Sequence, residues 1–267
     1  MMNALSTNRF RGLSHTLTIA RFTLLEALRT RLPWIWAGVL AFFGGASLFI
    51  NQIAITESER LQWSFYASGL RLAAVLTLAA YITSSMVREL NEKGLEMVLA
   101  LDLPRAAYVA GKLLAFLCVA AAMAAFTALP LAFARPLHAV AAWALSLACE
   151  LTIVSAFAVF CVVSFSQVVP ALLLVSAFYL LARTIDALRL MSESAILGGL
   201  GGARSLFEYA FDAIALLLPA LGRFSRTEWI ASGSIELTTL APIAAQTAIY
   251  TLLLLGASLI DFHRREL

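Results

Sequence analysis

Charge is what this sequence has least of. Asp, Glu, Lys and Arg make up 13% of its 267 residues, about half the roughly 25% usual in a soluble domain. The balance is apolar: 61% of the chain is hydrophobic, in long runs, with a mean hydropathy of +0.88. That pairing excludes an ordinary soluble domain and indicates an integral membrane protein of one domain. The net charge is only +3, and the basic residues are scattered, which excludes the footprint of a nucleic-acid binder. Cys118, Cys149 and Cys161 all lie inside apolar runs, spaced for neither a disulfide framework nor a metal site. His15, His138 and His263 fall in three separate regions and converge by no local spacing. HExxH, a pair of aspartates within the apolar runs and Gly-x-Ser-x-Gly are all missing, so the chain is not expected to be catalytic.

What is present is an ordered series of apolar runs. Residues 1–33 are polar and arginine-bearing for too long to be a signal peptide. Within them, 16–32 reads as a surface helix with Leu17, Leu24, Leu25, Leu28 and Leu32 on one face and Glu26 and Arg29 opposite. Arg21 intrudes on the apolar side, where its stem can snorkel; a basic tail that merely orients the first span is the simpler alternative. Six spans are expected, over 34–53, 70–87, 108–133, 139–165, 168–185 and 242–260. Residues 56–64 form a polar link, and Ser166-Gln167 alone separates the fourth span from the fifth. With the N-terminus inside, eleven of the nineteen Lys/Arg residues fall on inner segments. The positive-inside rule then places both termini in the cytoplasm of a multi-pass protein of the cytoplasmic (inner) membrane.

The most informative stretch is 88–112, RELNEKGLEMVLALDLPRAAYVAGK, a charged island between the second and third spans. Leu90, Met97, Val98 and Leu101 recur at helical spacing, while Glu89, Glu92, Lys93 and Glu96 fall mostly on the other side. Composition alone fits either a plain connecting loop or a short helix lying on the membrane surface. The order of residues favours the helix: Arg88-Glu89 at the exit of one span, Lys-Gly-x-Glu, an apolar half-turn, Leu-x-Leu-Pro104-Arg105, then Tyr-x-x-Gly-Lys at the start of the next. In this the segment resembles the loop between the second and third spans of the permease subunits of type-2 ABC transporters.

Residues 186–241 form a long segment before the last span. GGLGGARS at 198–205 lacks the Gly-Lys-Ser/Thr ending of a phosphate loop, so it is read as a flexible linker, and energy from nucleotide has to come through another chain. Residues 207–221 are apolar but interrupted by Glu208 and Asp212 and broken by Pro219. They are too short to span comfortably and suggest a re-entrant or surface hairpin. Type-2 ABC permeases carry such a hairpin on the extracytoplasmic side at this position. The stretch LLPALGRFSRTEW at 217–229 is also similar to a segment of the branch associated with multi-copper enzyme maturation.

Three charges lie within the membrane. Glu150 is near the middle of the fourth span, where an unpaired carboxylate costs several kcal/mol. At about 1.5 Å per residue, Arg71 and Arg183 both come within a turn of its height. The trio reads as a structural ion pair, as a polar group lining a substrate path, or as a proton relay, for which a second acid at that depth is lacking.

The resemblance implies an all-α fold: six transmembrane helices with an N-terminal elbow helix (1–33), a cytoplasmic coupling helix (88–105) and an outer hairpin (186–241). It also implies a mechanical function, in which ATP hydrolysis in a separate ATPase subunit drives substrate movement, by inference export. Two permease copies or homologues pair, each docking one ATPase of a dimer through Arg88, Glu89, Glu92, Lys93, Glu96, Pro104 and Arg105. No cofactor is expected on this chain itself; ATP and Mg bind the partner. A secondary transporter or a non-transporting membrane scaffold is the alternative, although internal repeats typical of the former are missing.

Overall fold

The computed structural model describes residues 2–53, 58–91, 105–193, 218–225 and 240–264. Seven helices account for nearly all of them, and no strand occurs among the described residues. They are α1 (Met2–Arg29), α2 (Leu32–Ile53), α3 (Ser58–Asn91), α4 (Arg105–Ala132), α5 (Leu137–Phe165), α6 (Val168–Glu193) and α7 (Leu240–Arg264). A 3-10 turn, Leu221–Ser225, lies between the last two. Helices α2 to α7 are the six that are long and apolar enough to cross a membrane.

Helix α5 is the axis of the bundle. Its sequence is apolar on every side, as a helix surrounded by others must be, and it packs against α3, α4, α6, α7 and the 3-10 turn. Its most apolar window is 72% buried, whereas that of α2 is 11% buried, so α2 lies at the periphery, held by α3 and more lightly by α1. Trp34, Phe42, Leu48 and Phe49 of α2 point outward, where only lipid or another apolar surface satisfies them. The α4–α5 corner follows from its prolines: Pro130 sits in the last turn of α4, and Pro136 stands immediately before α5. At the α5–α6 corner, Ser166 takes the left-handed conformation (φ 53°) and donates its backbone N–H to Val162 O at 2.9 Å. That lets the chain reverse in two residues.

Several element boundaries differ from the sequence expectation. The link at 56–64 is helical from Ser58 onward, so α3 runs 34 residues. No glycine or proline occurs from Ser58 to Ser64, and the side chains of Gln62 and Tyr66 are buried in the bundle. The expected helix over 16–32 is instead the last half of α1, which stops at Arg29; Leu32 begins α2, with Pro33 in its first turn. Helix α6 continues beyond 185 to Glu193, so the first residues of the long segment before the last span are helical. Of the expected coupling helix, 88–91 end α3, Arg105 begins α4, and 92–104 lie outside the described residues. Of the segment 186–241 expected to form the outer hairpin, only 186–193, 218–225 and 240–241 are described.

Candidate functional site

Two polar clusters interrupt the apolar packing. The first is in the bundle core. Glu150 on α5 is completely buried and accepts from Arg71 Nη1 at 2.5 Å and from Arg183 Nη1 at 3.4 Å. Arg71, on α3, is also fully buried; its Nη2 donates to Ser146 Oγ at 2.6 Å and reaches Trp143 O at 3.4 Å. Its guanidinium lies over the Trp143 ring, 5.1 Å from the centroid. Ser146 and Glu150 are one helical turn apart on α5, so a single face of that helix supplies both acceptors. Arg183, on α6, keeps its side chain 24% exposed and donates to Tyr179 Oη at 2.6 Å. The cluster thus holds two guanidiniums against one carboxylate and carries a net +1.

The second cluster ties together one end of the bundle. Glu26 of α1 accepts from Arg88 Nη2 at 2.8 Å and from Ser85 Oγ at 3.2 Å, both near the end of α3. One residue further on, Glu89 pairs with Lys112 of α4, whose side chain is 4% exposed. An ammonium so deeply covered requires an anion, and Glu89 is that anion. Beside it, Gly111 lets α1 approach closely: an added Cβ would stand 2.9 Å from Thr16 O and 3.0 Å from Ile19 Cβ. The face of α1 turned inward is therefore small, with Ala20, Thr23 and Ala27 buried, in the manner of close helix pairs in membranes. Leu17, Leu25 and Leu28 point outward. Tyr108 of α4 stacks on Phe262 of α7 at 6.1 Å, and Ser164 of α5 donates to Asp261 of α7 at 2.7 Å. These contacts bring the end of α1, the ends of α3, α5 and α7 and the start of α4 to one side of the bundle.

At the opposite end, Arg135 lies 3.7 Å from Glu59 and over the Trp63 ring at 5.7 Å. The Leu221–Ser225 turn buries Leu221 and Phe224 against the bundle, and Gly222 sits close to Asp186.

Of the residues singled out from the sequence, Arg71, Glu150 and Arg183 are brought together. Arg88 and Glu89 engage α1 and α4 of their own chain, and the Arg88 side chain remains 57% exposed. Arg105 begins α4; Glu92, Lys93, Glu96 and Pro104 lie outside the described residues. Sequence reasoning passed over Glu26 as a partner and Lys112 as a buried cation. The second carried a signal, since a lysine four residues past the start of an apolar span demands a nearby acid. Ser146 and Tyr179, which complete the core cluster, carried none. Among the described residues no group of three or more His, Cys, Asp or Glu side chains converges to hold a metal. Comparison with protein-family models and with curated proteins finds no match to this chain.

Proposed function

We propose that this chain is the membrane-spanning subunit of an ATP-driven ABC transporter of the type-2 permease kind, moving its substrate, by inference outward, across the cytoplasmic membrane. One observation carries the reading. The segment 92–104 is flanked on both sides by ion-paired helix ends, Glu26–Arg88 before it and Glu89–Lys112 bridging it. A push on that segment therefore reaches α1, α3 and α4 together. This is the mechanical requirement for a lever driven by a separate ATPase, and it needs no catalytic group.

In this reading α1 is the elbow helix. Between Thr16, against Gly111, and Glu26, against Arg88, it passes from α4 to α3 at the braced end of the bundle. That end faces the cytoplasm, as the positive-inside bias requires. Glu92, Lys93 and Glu96 contact the ATPase, with the exposed part of Arg88 at the rim and Arg105 and Pro104 closing the lever. Two such chains pair, and each docks one nucleotide-binding subunit; ATP and Mg reside there.

Purification in mild detergent with the products of neighbouring genes tests the proposal. A stoichiometric nucleotide-binding subunit that hydrolyses ATP, and is lost from a Glu92→Lys/Glu96→Lys variant that still inserts, supports it. A chain that purifies alone in every detergent and lipid tried overturns it. The secondary-transporter reading is favoured by the core charge cluster alone, and substrate movement without any ATPase would establish it.

A further inference from the structure

The polar end of the bundle contains a cleft of about 640 Å3 between the α1–α2 junction and α3. That lies in the range of about 300–1,000 Å3 typical of ligand sites. Its polarity is graded along its length. Arg31 and Arg88 stand at one end with the hydroxyls of Thr30, Ser84 and Ser85; Ile35, Leu76 and Ala80 line the other. Leu76 precedes Arg88 by twelve residues of one helix, so the cleft extends about 18 Å along α3. Leu32 begins one membrane-crossing helix and Asn91 ends another, which sets the arginines at the bilayer edge and Leu76 well within the hydrocarbon. Ile35 and Leu76 are 54% and 41% exposed, so the deeper part opens sideways to the acyl chains.

The charges at the polar end are unbalanced. Glu26 answers Arg88 at 2.8 Å, while no ion pair of Arg31 occurs among the described residues, leaving a net +1. A phosphodiester beside Arg31 would accept from its guanidinium fork and neutralise that excess.

We infer that this cleft is a binding site for an anionic glycerophospholipid, its phosphate at Arg31 and one acyl chain against Ile35, Ala80 and Leu76. One negative headgroup neutralises the cleft. A zwitterionic lipid brings an ammonium that restores the excess charge. The inference holds whether or not the chain works with an ATPase, because it rests on the cleft alone.

Native mass spectrometry of the delipidated chain, re-equilibrated with phosphatidylglycerol and phosphatidylethanolamine, tests it. Phosphatidylglycerol should be retained about tenfold more strongly, and Arg31→Gln should remove most of that preference, as loss of a charge-assisted fork demands. Arg135→Gln, at the far end of the bundle, should leave it unchanged. Ala80→Trp fills the apolar half while keeping both arginines, and should expel the lipid. Equal retention of the two lipids by the wild-type chain overturns the inference, as does undiminished retention in Ala80→Trp. Displacement of the lipid by glycerol 3-phosphate at matching concentration also overturns it, since the site would then recognise the anion without the chains.

Discussion

Glu150 sits where an isolated carboxylate is intolerable, and two arginines from two other helices answer it. Arg71 is the stronger partner: it is fully buried, 2.5 Å away, and further held by Ser146. Removing the carboxylate strands two guanidiniums, so Glu150→Ala should destabilise the protein by about 3–5 kcal/mol. Glu150→Gln keeps an acceptor and should cost less. Thermal unfolding of the purified variants in one detergent measures both, and stabilities near wild type in each would refute the structural ion pair. In double-mutant cycles, coupling of Glu150 to Arg71 should exceed its coupling to Arg183, which sits at 3.4 Å and is partly exposed. Counting helical rise placed both arginines near the height of Glu150. It did not say which way each helix faces, so the unequal sharing emerged only from packing.

At the scale of elements, the α1–α4 contact depends on a missing side chain. A methyl at Gly111 would meet the Thr16 carbonyl, which is backbone and cannot swing away. Gly111→Ala should therefore cost about 1–3 kcal/mol and loosen α1, read as faster proteolysis within residues 2–29; unchanged cleavage would count against close packing there. The Glu89–Lys112 bridge makes a second prediction. If it transmits force between α3 and α4, Lys112→Met should leave ATPase association intact while transport per ATP falls. A variant with undiminished coupling would separate this bridge from the lever. The sequence marked the charged island as distinctive from its order alone. It could not show that Glu26 of α1 would turn toward Arg88, or Glu89 toward Lys112, because partners 62 and 23 positions apart leave no periodic trace.

For the molecule as a whole, the proposed orientation makes residues 192–202 extracytoplasmic. A cysteine introduced there should react with an impermeant maleimide in intact cells, and labelling only after permeabilisation would invert the orientation. Six membrane-crossing helices were determined by the sequence alone, because length and hydropathy suffice to say that a segment cannot remain in water. The same holds for the two-residue corner at Ser166-Gln167, which leaves no room for anything but a tight reversal. Which helix would be central was decided by the tertiary structure. All six spans are similarly apolar, and in lipid hydrophobicity does not distinguish a helix facing acyl chains from one facing its neighbours. Close packing and the few polar contacts made that choice. They put α5 at the axis and α2 at the rim, gave Glu150 its two arginines, and opened the cleft between Arg31 and Leu76.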